Sequence, residues 1–134
     1  MDQSSNIFKL DFNYNINKLG YERYASYYLF NNNNNSCKFI KNIKVTVSDN
    51  CHNLRDFICI IYKYDKNEIV PTDYENILNK SQVIDIGVPL NGVYEFNKQD
   101  TLIDMQNKNL YIYVLISSAL SSLKMILCKN ILYE

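Results

Sequence analysis

The sequence predicts an all-β fold: an antiparallel β-sandwich of about eight strands wound as a single jelly roll, with at most one short helix near residues 72–79. Three observations lead there. The chain has 16 Ile, 7 Val, 12 Tyr and 6 Phe but only two Ala, and β-branched and aromatic side chains suit pleated, half-buried surfaces better than helices. Apolar residues recur with a period of two, the repeat that places alternate side chains on opposite faces of a strand. Turn signals interrupt these runs every 8 to 12 residues or so, the spacing of a sandwich rather than of βαβ units.

The alternation is clearest at the start, where Phe8, Leu10, Phe12, Tyr14 and Ile16 are separated by Lys9, Asp11, Asn13 and Asn15. This reads as one strand with a wet face. Lys18-Leu19-Gly20 supplies a turn, and Tyr21 to Phe30 reads as a second strand. Asn31 to Asn35 with Ser36 is too polar for a core and reads as a loop. Phe39, Ile43, Val45 and Val47 then mark the inner side of a strand that Asp49 to Asn53 closes.

Phe57 to Tyr64 is apolar on both faces, as in a central strand covered on each side or one held in a protein contact. Between Pro71 and Asn79 a short helix fits, with Thr72 or Asp73 as cap and Tyr74, Ile77 and Leu78 on one face. Val83 to Val88 is a short strand stopped by Pro89. Asn91-Gly92 is a type I′ hairpin signal, so Val93 to Phe96 is expected to pair back on it. Thr101 to Met105, Leu110 to Ser117 and Leu123 to Tyr133 complete the strands, with Asn107-Lys108-Asn109 as a turn. No repeat, heptad seam or linker divides the chain, so residues 1–134 are expected to form one domain.

Charge and motifs narrow the function. Fourteen basic and 14 acidic side chains leave a net charge of zero, so no summed field draws the chain to nucleic acid or to an anionic membrane. There is no apolar span and no signal-like start, which points to a cytosol-like, reducing compartment in which Cys37, Cys51, Cys59 and Cys128 stay as thiols. Cys59 and Cys128 sit in apolar runs and read as core residues. The glycines are Gly20, Gly87 and Gly92, and none belongs to a phosphate-cradling loop.

Catalytic and metal sites find little to stand on. The single histidine, His52, is the one candidate for a nucleophile's base, and in extended backbone its neighbour Cys51 points away from it. Cys37, Cys51, His52 and Cys59 lack the paired knuckle spacing of a zinc site. Asp49, Asn50 and Asn53 offer oxygens for calcium but read better as a turn, and Asp100 with Asp104 or Asp73 with Glu75 read as solvated carboxylates. Neither a catalytic group, a metal nor a cofactor is expected.

Tyrosine carries the most information. Tyr21, Tyr24, Tyr27 and Tyr28 crowd one strand, and Tyr62 and Tyr64 another, with Tyr111 and Tyr113 on a third. Rings with hydroxyls serve protein contacts well, so the first six are candidate partner-contact residues. The competing explanation is codon bias, since Asn, Ile, Lys, Tyr and Phe all have AT-rich codons.

The eight-strand pattern, this Asn/Ile/Lys/Tyr-rich composition, the start without a signal and the two-faced strand Phe57 to Tyr64 together resemble the small single jelly-roll structural proteins of large icosahedral DNA viruses, such as minor capsid, penton or cement components. The resemblance spans the whole chain in pattern. It implies a non-catalytic subunit located in a virion or host cytoplasm, whose partners are other structural subunits. The alternative is a lectin-like sandwich that binds sugar through Asn31 to Asn35, Asp49 to Asn53 and tyrosines at one end. An enzyme would need a pocket holding His52 against a carboxylate.

Overall fold

The computed structural model describes residues 2–10, 13–17, 20–49, 57–116 and 125–134. Along the chain run β1 (Asp2–Lys9), β2 (Asn13–Asn17), β3 (Gly20–Phe30), β4 (Phe39–Asp49), β5 (Phe57–Asp65), α1 (Tyr74–Lys80), β6 (Gln82–Gly87), β7 (Val93–Lys98), β8 (Ile103–Asp104), β9 (Lys108–Ile116) and β10 (Met125–Tyr133). One sheet has the order β1-β10-β4-β7, with β8 also on β4. The other has the order β2-β3-β9-β5-β6. Every pairing is antiparallel.

The connectivity follows from folding the chain back on itself. The first strand pairs with the last, β3 with β9, β4 with β7 and β5 with β6. These four nested pairs wind round until β10 meets β4 and β9 meets β5, which completes both sheets. That is a jelly roll. Its eight strands match the expected number, and β2 and β8 are short additions.

Between the sheets lies one apolar layer to which both contribute: Ile40, Ile43, Val45, Val47, Leu127 and Ile131 from one side, and Leu29, Cys59, Ile61, Ile112, Val114 and Ile116 from the other. Each such side chain contributes roughly 1.5–3 kcal/mol by leaving water. A second cluster, Ile60, Tyr62, Ile77, Tyr111 and Tyr113, lies on the outer face of the β5–β9 sheet under α1. β5 and β9 are therefore covered on both faces, which is why Phe57 to Tyr64 reads as continuously apolar. β5 has β9 and β6 on its flanks, so it is not an edge.

Several expectations need correction. The long opening alternation is divided, because β1 ends at Lys9 in one sheet and β2 begins at Asn13 in the other. The period-two pattern runs straight through this change of sheet without a break in the sequence. Asn91 and Gly92 do turn with positive φ (54° and 76°), and Leu90 and Val93 exchange backbone hydrogen bonds of 2.9 and 3.1 Å. Beyond that bridge the strands part, and β7 pairs with β4 rather than with β6.

In β4 the inward residue near the start is Ile40 rather than Phe39, because an extra residue at Lys41 opposite Leu132/Tyr133 reverses the phase. Cys128 is half-buried on the outer face, one position out of phase with Leu127. The helix appears as expected with Asp73 as its cap, whose side chain accepts from the Asn76 amide at 3.3 Å. The expected turn at Lys18-Leu19, together with Cys51, His52, Asn50 and Asn53, lies outside the described residues.

Candidate functional site

The tyrosines gather where the register puts them. Tyr28, Tyr111 and Tyr62 stand in one cross-strand row over β3, β9 and β5. Their rings follow one another at 4.9 Å and 5.3 Å between centroids, within the range in which aromatic pairs attract beyond their buried area. Tyr24 stacks on Tyr113 at 6.1 Å. The Tyr62 hydroxyl donates to the Pro71 carbonyl at 3.1 Å and lies 3.3 Å from Ser26 Oγ, tying the segment before α1 to the sheet.

This arrangement divides the six candidate contact residues. Tyr62 is fully buried, and Tyr27 packs against the inter-sheet layer. Tyr24 and Tyr64 are half-buried beside the outer cluster. Tyr28 alone among the described members is mainly open, at 53% exposure. Tyr21 is a β3 residue opposite Ile16, and its side chain lies outside the described set. Most of the ring-rich face is thus a second core, and its phenols behave accordingly. Burial pushes Tyr111 up to about 12 and raises Tyr62 as well.

The asparagine run has a structural task. Asn32 is fully buried. Its side chain accepts from the Cys37 amide at 2.8 Å and donates to the carbonyls of Met105 at 2.8 Å and Cys37 at 3.0 Å. Asn109 Oδ1 accepts from the Asn32 amide, Lys66 Nζ donates to its carbonyl, and Asn35 and Asn107 bond each other across the loops. Asn32 therefore replaces ladder hydrogen bonds where the chain leaves β3. Asp49 sits at the far end of β4, roughly 33 Å away at about 3.3 Å per residue. Of the residues assigned to a sugar site, the described Asn31 to Asn35 and Asp49 thus lie at opposite ends of the sandwich.

The cysteines are separated in the same way. Cys37 bonds at the Asn32 end, whereas Cys59 pairs with Val114, five residues along β9 from Asn109, roughly 17 Å away. Burial raises Cys37 to about 11 and pushes Cys59 well above its ordinary value, so both remain thiols. Among the described residues no three His, Cys, Asp or Glu side chains approach as a metal set. Asp73 is taken up as the α1 cap, and Asp104 accepts from the Gln106 amide at 3.0 Å.

Two features escape sequence reasoning. Tyr94, on β7, reaches across the sandwich to donate to Asp85 Oδ2 of β6 at 2.5 Å, beneath Gly87. Burial and the carboxylate both raise its phenol. Only the strand order brings Asp85 and Tyr94 together. The second feature is the edge formed by β6, where Val83, Ile86, Val88 and Leu90 are exposed. A shallow depression of about 720 Å³ on the other sheet's outer face, lined by Ile7 and Cys128 as well as by Ser5, Lys44, Thr46 and Asn130, is open to solvent.

Neither a family model nor a curated protein matches the sequence. No helix among the described residues is long and apolar enough to cross a membrane.

Proposed function

We propose that this chain is a non-catalytic structural subunit of a multi-subunit assembly, of the kind that single jelly rolls form in virus shells, and that it acts through protein–protein contacts in a virion or host cytoplasm. Jelly rolls also serve as lectins and as small-molecule barrels, and fold alone does not choose among them. The placement of side chains supports the structural reading. The space between the sheets is filled by apolar residues, and Asn32 of the asparagine run is spent on the fold itself. The observation that carries the reading is the outer edge of the β5–β6 pair, where Val83 and Ile86 of β6 and Val88 and Leu90 just beyond it are exposed.

Gradient sedimentation of native material tests it. The chain is expected in a fast-sedimenting particle at a fixed ratio to other subunits. Recovery only in the slow fractions, together with binding on a glycan array, would instead favour the sugar-binding alternative.

A further inference from the structure

The described cysteines, Cys37, Cys59 and Cys128, are free thiols, so no disulfide among them staples the sandwich. The tyrosine row offers a different covalent chemistry. Tyr28 on β3 and Tyr111 on β9 are direct cross-strand partners, and such partners hold their Cβ atoms about 4.5–5.5 Å apart. The two rings stay together out to their tips. Their centroids are 4.9 Å apart, their planes are tilted by 37° and their hydroxyls hydrogen-bond each other. The ring carbons next to each hydroxyl, where a phenoxyl radical carries much of its unpaired spin, are therefore neighbours.

Exposure falls steeply along the row. Tyr28 is 53% exposed, Tyr111 is 4% exposed and Tyr62, the next ring, is fully buried. A soluble oxidant thus meets Tyr28 first. Tyr111 can then pass an electron to Tyr28 across the ring contact while its proton crosses the hydrogen bond between the two hydroxyls. Tyr62 stacks on Tyr111 at 5.3 Å, but its hydroxyl donates to the Pro71 carbonyl, an acceptor that cannot keep a proton. The radical is held on the outer two rings.

We propose that Tyr28 and Tyr111 are an oxidative cross-linking site, which a one-electron oxidant of the peroxidase class converts to an intrachain dityrosine joining β3 to β9. The oxidant takes one electron and the phenolic proton from Tyr28, and Tyr111 refills that hole through the contact. A second oxidation of Tyr28 leaves both rings as radicals. They join by one carbon–carbon bond between positions next to the hydroxyls, and the hydrogen on each joined carbon returns to its own ring's oxygen. The net loss is two electrons and two protons, which one hydrogen peroxide takes up in becoming two waters. The new bond closes a long loop of chain, so it stabilises the fold as a disulfide of equal span does, by restricting the unfolded state.

The site is independent of any role in an assembly. Treatment of the dilute, purified full chain with a peroxidase and hydrogen peroxide tests it, read by intact mass, dityrosine fluorescence and peptide mapping after proteolysis. The expected product is a monomer lighter by two hydrogens, with Tyr28 joined to Tyr111 and a raised urea midpoint. Tyr28→Phe and Tyr111→Phe should each abolish that product. Tyr28 is the more exposed of the two, so its variant keeps the test valid if Tyr111→Phe fails to fold. Tyr74→Phe, on α1 and 39% exposed, should leave the product unchanged. An unreacted chain, cross-links between chains only, or an intrachain cross-link that survives Tyr28→Phe overturns the inference.

Discussion

At the scale of single residues, Asn32 is the clearest case of a polar side chain serving the fold. Removing it strips partners from the Cys37 amide and from two buried carbonyls. Asn32→Ala should therefore cost about 3 kcal/mol in urea unfolding, against a typical loss of 1–3 kcal/mol or so per unsatisfied buried group. Gly87 is constrained by a neighbour: a Cβ there would lie 2.5 Å from the Tyr94 ring. Gly87→Ala should destabilise by roughly 1–3 kcal/mol, the usual range for overpacking, measured in the same way.

The buried phenols set the alkaline limit of stability. Folded Tyr111 keeps its proton up to about 12, whereas an unfolded tyrosine releases it near 10. The folded state thus binds that proton more tightly, so its stabilising effect is whole below pH 10 and is lost as pH rises toward 12. Tyr62 and Tyr94 act in the same direction. Phenolate absorbance followed alongside circular dichroism should show late titration that coincides with unfolding.

At the scale of elements, α1 was legible because its signals are local. Asp73 caps it, and Ile77 is the residue of its face that is fully buried. Asp73→Ala should cost about 1 kcal/mol. Ile77→Ala should cost roughly 2–5 kcal/mol, because it opens a cavity above Tyr62 and Tyr111. Differential scanning calorimetry would separate the two. Bulges were not legible. The extra residue at Leu29 sends both Leu29 and Phe30 into the inter-sheet layer, and the one at Lys41 exchanges Ile40 for Phe39. Each alters the phase by one residue, and only the facing strand reveals it. The Asn91-Gly92 turn was read correctly from local chemistry, but the partner of β7 depends on the opposite sheet.

At the scale of the whole molecule, strand number and sandwich class were readable because both follow from periodicity and turn spacing. Strand order was not, since it depends on which edges meet, and for that reason the exposed character of β6 stayed hidden. The residues of the tyrosine face were visible as a group, but not their burial. Tyr62 and Tyr111 are covered by the segment around Pro71 and Ile77, which follows them in space and not in any local pattern. Tyr28 and the β6 rim are exposed and belong to the same sheet, in which β3, β9, β5 and β6 lie side by side. Work inside an assembly is the role proposed for the chain. Mass photometry of the complex purified natively with this chain tests it most directly. A high-order species is expected, far above the 15.8 kDa of one chain, and a stable monomer in that preparation would contradict a role inside an assembly.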